Sequence, residues 1–273
     1  MPKQDVGKFR TNSKDQFYTK PAVAAACITS LIDRYPGASE YLWVEPSAGA
    51  GAFLQAIPEH IDCVGIDIEP AAPNILKADF LEWTYNSSKK CVVIGNPPFG
   101  RQSALAKAFI KRAATFAELI AFILPKSFVK PSMVRAFPME FHCKHSVELE
   151  ADSFTVNGES YDVPCVFQIW EKCLEPRELE AVAEPIGFQY VRGCEEYDIA
   201  FRRVGALAGR CYRAGGGTYS VQSHYFIRLE DSGQIEGVIK KVNEHEFPSN
   251  TVGPRSLSKG EANIVLNAMI RSV

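Results

Sequence analysis

Four consecutive residues, Asn96-Pro97-Pro98-Phe99, place an amide side chain, two rigid rings and an aromatic side by side. They follow Cys91-Val92-Val93-Ile94-Gly95, an apolar β-branched run that reads as a buried strand. The prolines lack N–H donors and fix φ, so the strand ends there and a rigid turn begins. Asn96 therefore stands at the carboxyl end of a strand, the edge where open α/β sheets bind ligands. Its side-chain oxygen and the Pro97 carbonyl are two acceptors that can converge on one amino group. Two such acceptors hold the nitrogen lone pair toward an electrophile. Phe99, with Pro98 beside it, offers a flat surface for a planar ring. A tight turn after a buried strand would use the same residues.

A second set of residues can hold the electrophile. Residues 41–45 form an apolar run ending in Glu45, then Pro46-Ser47-Ala48-Gly49-Ala50-Gly51 makes a turn of small residues. Gly49 and Gly51 let backbone approach a ligand closely. Neither GxGxxG nor a phosphate-binding Gly-Lys-Ser/Thr is present. An acid beside the turn disfavours phosphate and suits an ammonium group. Cys63-Val64-Gly65-Ile66-Asp67 is a second strand, ending in an acid about 20 residues after the turn, where Rossmann-like sheets bind a ribose diol. Asp67 could also cap its own turn. Asp79-Phe80 adds an acid and an aromatic that suit an adenine amino group and ring face.

These positions need a sheet to hold them. Thr19 reads as a helix cap with Pro21 in the first turn of a helix over residues 22–31. Residues 103–116 have helical spacing. Residues 119–124 read as a strand, residues 126–136 as a loop carrying Lys126, and residues 146–150 and 163–170 as two strands around a 154–162 hairpin. Strands alternating with helices, then a late hairpin, predict an α/β fold. Its sheet is mostly parallel, doubly wound and Rossmann-like, with an antiparallel edge.

The chain has 273 residues and a net charge of −2, so nucleic-acid contact must come from local patches. Residues 1–14 read as a flexible basic arm, residues 15–175 as the main domain, and residues 176–273 as a small β-rich extension. In the extension, residues 178–183 read as a short helix, residues 188–191, 199–204 and 223–229 as strands, residues 249–253 as a turn, and residues 261–270 as a helix capped by Ser258. Arg202, Arg203, Arg210 and Arg213 lie in a stretch without acids, interleaved with Tyr212 and Tyr219, a mixture that suits phosphates and bases. The extension is close to neutral overall, so a solvated face is the alternative. Eight cysteines without CxxC spacing point to free thiols in a reducing cytoplasm. The five histidines do not make zinc-finger spacing with them, and no metal site is expected. No apolar run approaches ~18 residues, so neither secretion nor a membrane span is expected.

The order Phe17-Tyr18-Thr19, Glu45 to Gly51, Asp67, Asp79-Phe80 and Asn96 to Phe99 resembles the gamma group of DNA adenine-N6 methyltransferases, which depend on S-adenosylmethionine. The resemblance covers roughly residues 15–172. It implies cofactor contacts from Tyr18, Thr19, Glu45, Ser47, Gly49, Gly51, Asp67, Ile68, Asp79, Phe80 and Asn96. Within these, Glu45 takes the cofactor's amino group, Asp67 its ribose and Asp79 its adenine. It implies that Asn96 and Pro97 hold the target nitrogen and Phe99 stacks on a base flipped out of the duplex. Pro98, Lys126, Arg202, Arg203, Arg210 and Arg213 are the further expected substrate contacts. DNA is the favoured partner, with a cytoplasmic, nucleoid or nuclear setting and homo- or hetero-oligomers both open. RNA stands as the alternative, because small RNA adenine methyltransferases also carry Asn-Pro-Pro-Phe. Protein glutamine methylation and a silent nucleic-acid-binding subunit are the remaining readings.

Overall fold

A computed structural model describes residues 17–156, 158–179, 181–193, 195–247 and 255–272. The expected basic arm, Cys194 and the 249–253 turn lie outside the described residues. The chain divides into two compact units, Met1–Leu179 and Glu180–Val273.

The first unit is built on a seven-stranded sheet. Its strands are β2 (Leu42–Glu45), β3 (Cys63–Asp67), β4 (Ile75–Lys77), β5 (Cys91–Gly95), β6 (Leu119–Pro125), β7 (Phe141–Glu148) and β10 (Cys165–Lys172). Their order is β4-β3-β2-β5-β6-β10-β7. Pairing is parallel from β4 to β6 and antiparallel for β6–β10 and β10–β7. This is the expected mostly parallel sheet with an antiparallel edge. The order reverses between β2 and β5, so Glu45 and the residue after Gly95 flank the switch point where such sheets bind ligands.

Alternation within the strands builds the core. Val44, Ile66, Val93, Ile120 and Phe122 pack with Ala106, Phe109, Ile110 and Ala113 of α3 (Ala104–Ala113). Their neighbours Trp43, Val92 and Ala121 point to the opposite face by the two-residue strand period. Trp43 Nε1 donates to the Ala38 carbonyl on that side. Helix α1 (Pro21–Arg34) buries Ala24, Cys27, Ile28 and Leu31, an i, i+3, i+4, i+7 stripe.

Local corrections have local causes. Thr19 does not cap α1. It lies with Tyr18 in β1 (Tyr18–Thr19), and Lys20 occupies the cap without a side-chain bond. Strand β1 pairs with β8 (Phe154–Val156), and β8 with β9 (Glu159–Tyr161), so the 154–162 hairpin forms a separate three-stranded sheet. Residues 126–136 are not a plain loop but a 3-10 turn, Lys126–Val129, and a short α4 (Pro131–Val134). Strand β7 begins at Phe141, before the expected residue 146. Its apolar pattern is broken by His142, Lys144 and His145, which an exposed edge strand tolerates.

The second unit is a four-stranded antiparallel sheet ordered β11-β14-β12-β13: β11 (Phe188–Val191), β12 (Ile199–Arg202), β13 (Cys211–Arg213) and β14 (His224–Leu229). Phe188, Ile199, Phe201, Ile227 and Leu229 share a core with Val238 and Val242 of α5 (Ile235–Glu244) and Leu266 of α6 (Lys259–Arg271). Helix α6 carries the expected cap as a full capping box, Ser258 with Glu261. Helix α5 was not expected, although Ile235, Val238 and Val242 mark one helical face. The helix expected over residues 178–183 is absent among the described residues there.

Candidate active site

A cavity of about 640 Å³ opens at the switch point. The first turn after β2 gives it Ser47 and Gly49, with Glu45 from the strand itself; β3 contributes Asp67 and Ile68. Asp79 and Phe80 follow β4; Asn96, Pro97 and Pro98 follow β5; Phe17, Tyr18 and Thr19 close one wall. Residues distant in the chain thus meet because parallel strands end at one edge.

Asn96 is the chemical centre of this wall. Its Nδ2 donates to the Phe17 carbonyl at 2.9 Å, which fixes the orientation of the amide. Its Oδ1 is buried and accepts no hydrogen bond. A buried acceptor without a donor costs on the order of 1–3 kcal/mol, and such groups are rare unless a ligand completes them. Among the described residues, none donates to the Pro97 carbonyl. Ser47 Oγ donates to the Asn96 carbonyl at 3.1 Å and ties the two turns together.

Glu45 is almost fully buried, and its Oε2 accepts from the Leu54 N–H at 3.1 Å. The helix that follows, α2 (Ala52–Ala56), begins at Gly51, which has φ +82° and no side chain to cap with. Glu45 supplies that cap from the neighbouring strand. Burial pushes its carboxyl well above the usual carboxylate range, and the nearby Asp67 charge adds to the rise, while the Leu54 N–H opposes it. Each carboxylate oxygen offers two acceptor directions, so the cap leaves capacity toward the cavity.

Asp67 spans two turns. One oxygen accepts from Gly49 N at 2.7 Å and the other from Glu69 N at 2.8 Å. It caps its own turn and also fixes the glycine turn, and it still lines the cavity. Gly49 has φ +51°, and a Cβ there would lie 3.1 Å from Tyr18 Cε1, so the left-handed backbone and the close approach of Tyr18 both favour glycine. Asp79 Oδ1 accepts from Leu81 N at 2.8 Å, and the side chain is exposed at the rim.

Several expected contacts stand elsewhere. Phe99 does not line the cavity: it is 3% exposed, with its ring 6.0 Å from that of Phe17. Phe80 is buried, its ring 5.2 Å from that of Phe109, and both residues line the cavity. Gly51 starts α2 and does not line the wall. Lys126 is paired with Glu148 at 2.7 Å and is not on the wall either. Each of the four arginines has a partner within the second unit. Arg202 Nε donates to the Val204 carbonyl, Arg203 lies over the Tyr225 ring, Arg210 donates to the Asn243 carbonyl, and Arg213 pairs with Glu236. Sequence reasoning did not single out Arg101, Leu105 and Phe109, which also line the cavity. Leu105 and Phe109 lie four apart on α3, a spacing that signals one helix face but not which cavity it meets.

Asp67→Ala is expected to weaken cofactor binding at least tenfold, because a charge-assisted hydrogen bond is worth about 1.5–3 kcal/mol. Calorimetry is the check, and an unchanged affinity would remove Asp67 from the site.

No protein-family model matches the chain, and no curated protein matches it. Among solved structures, it is similar to a candidate RNA methyltransferase from Pyrococcus horikoshii. That match has 15% identity over 62% of this chain and 92% of the other, with a TM-score of 0.46. A candidate class I S-adenosylmethionine-dependent methyltransferase from Listeria monocytogenes matches at 14% identity, over 63% of this chain and 66% of its own, with a TM-score of 0.48. Magnesium protoporphyrin IX methyltransferase from Synechocystis, solved with bound S-adenosylmethionine, matches at 8% identity, over 56% and 79%, with a TM-score of 0.40. Likeness at this level concerns the arrangement of elements and carries no argument about chemistry.

Proposed function

We propose that the chain transfers a methyl group from S-adenosylmethionine to the N6 amino group of adenine in nucleic acid, with DNA favoured. The observation that carries this reading is the unpaired, buried Asn96 Oδ1 at a cavity lined by Glu45, Asp67, Glu69 and Asp79. The cavity's volume falls within the range of about 300–1,000 Å³ usual for small-molecule sites. Glu45, Asp67 and Asp79 suit a cofactor that carries an ammonium, a ribose and an adenine and has no phosphate. The bound cofactor supplies an electrophilic methyl group on a sulfonium.

The chain's own residues do the rest by positioning and charge stabilisation. Asn96 Oδ1 and the Pro97 carbonyl accept the two hydrogens of the target amino group. This directs the nitrogen lone pair away from both acceptors. As the nitrogen becomes positive, both acceptors hold it more tightly than in the ground state. Burial strengthens these interactions. As the nitrogen takes the methyl group, the sulfur keeps the electron pair of the broken bond as a neutral thioether, and the methylated nitrogen gives up one proton to water; no side-chain nucleophile is needed. In this reading the second unit serves target recognition.

The test is incubation with radiolabelled S-adenosylmethionine and separate DNA, RNA and protein pools, followed by nucleoside and amino-acid analysis. The expected product is 6-methyladenine in DNA. The same product in RNA alone would move the substrate to RNA. Methylglutamine in protein, or no transfer to any pool, would overturn the reading.

A further inference from the structure

We propose that Phe17 is a positioning residue for the target, forming with Phe99 the two faces of a slot into which the target ring inserts. The proposal rests on the adenine-methylating reading of the site. Three observations meet at Phe17. Its carbonyl accepts from Asn96 Nδ2, so the segment is tied to the residue whose oxygen awaits a donor. Its ring lies 6.0 Å from that of Phe99, tilted by 33°, and Phe99 is only 3% exposed. The Phe17 ring is also stacked with Tyr161 at 5.5 Å, with Phe154 edge-on at 6.5 Å.

A ring covered in this way cannot offer Phe99 as an open platform. Phe17, in contrast, lines the cavity and is backed by aromatic rings from β8 and β9. A planar ring placed between two others needs about 7 Å between them, two stacking distances. The slot is therefore closed in the free protein and opens when Phe17 shifts together with the small sheet that carries Phe154 and Tyr161. The same movement uncovers Phe99 and lets an exocyclic amino group approach Asn96 Oδ1. Aromatic platforms accept any base by its π-face, so Phe17 sets capture, and the Asn96 pair sets which edge is read.

The experiment uses the full chain and a DNA oligonucleotide in which 2-aminopurine replaces adenine, alongside the adenine-containing oligonucleotide. Phe17→Leu keeps an apolar side chain but removes the flat face; Phe17→Trp restores it. Phe17→Leu is expected to raise KM for the oligonucleotide roughly tenfold or more, with kcat changed far less and cofactor affinity by calorimetry unchanged. The change in 2-aminopurine emission on binding should shrink in Phe17→Leu and return in Phe17→Trp. Unchanged KM and an unchanged emission change in Phe17→Leu would overturn the proposal, as would a lower KM, which would make Phe17 a plug and not a platform. Lost cofactor affinity in both variants would also overturn it, by making Phe17 part of the cofactor wall. Failure of the adenine-methylating reading itself is separable, because the unsubstituted protein would then leave the adenine-containing oligonucleotide unmethylated.

Discussion

Asn96→Ala is expected to lower the methyl-transfer rate by roughly 10²–10³, the effect of removing one preorganised charge-stabilising group. The variant should fold, because the strand and the two prolines that follow it set the turn, not the amide. It loses the bond to the Phe17 carbonyl but also loses a buried acceptor without a donor, so the two effects on stability partly offset. Cofactor affinity should hold. Asn96→Asp should retain more activity than Asn96→Ala, since a carboxylate still accepts from the target amino group. It should not reach full activity, because it sets an oxygen against the Phe17 carbonyl where Nδ2 now donates. Single-turnover rates with circular dichroism and calorimetry of the same samples decide the matter. Full activity in a folded Asn96→Ala variant would move the chemistry elsewhere.

Glu45→Gln should lose cofactor and gain stability. The amide oxygen can still accept from Leu54 N, so the start of α2 survives. The charge that would hold an ammonium group is gone, and binding should weaken by about one to two orders of magnitude, as for a lost charge-assisted hydrogen bond.

The stability effect follows from the direction of the pKa shift. Glu45's carboxyl is raised in the folded chain by burial and by Asp67. The fold therefore binds the proton more tightly than the unfolded chain does. The stability that this contributes is present below the unfolded value of about 4.3 and is lost as pH rises through the raised folded value. Above that value the unsubstituted protein keeps a buried charge that Gln lacks. At such pH the variant should melt higher, by about 2–4 °C for each kcal/mol relieved. Cofactor affinity of the unsubstituted protein should fall on acidification through the same raised value, because a neutral carboxyl holds a cation poorly. The Gln variant should lack that slope. Melting curves and calorimetry across pH check both halves, and a variant with undiminished affinity and the same pH slope would take Glu45 out of the site.

The sequence alone determined the features that short-range backbone chemistry controls. A β-branched run stopped by two prolines has no continuation as strand, so Asn96 had to stand at a strand end. An acid, small residues and two glycines after another apolar run required a tight turn opening a helix, and Ser258 with Glu261 required a helix start. The strand–helix alternation then restricted the sheet to a mostly parallel one, because parallel neighbours need crossovers. Helix α5 was equally local, and its face was legible from Ile235, Val238 and Val242.

Only the tertiary structure decided which distant residues share the edge and what each side chain faces there. Asp67 reaches Gly49 because β2 and β3 are in parallel register, and that register comes from packing across the whole sheet. Phe80 packs against Phe109 of α3 at the cavity, a contact between residues 29 apart. Lys126 found Glu148 on the antiparallel edge, and the arginines of the second unit found carbonyls, a ring and Glu236 within that unit. Phe17 lies over Phe99 because β1 joins β8, a pairing 137 residues apart that no local pattern encodes. Side-chain type and spacing state what chemistry a residue can do. Contacts between segments far apart in the chain, each worth little alone and made together on folding, decide which groups are free to do it.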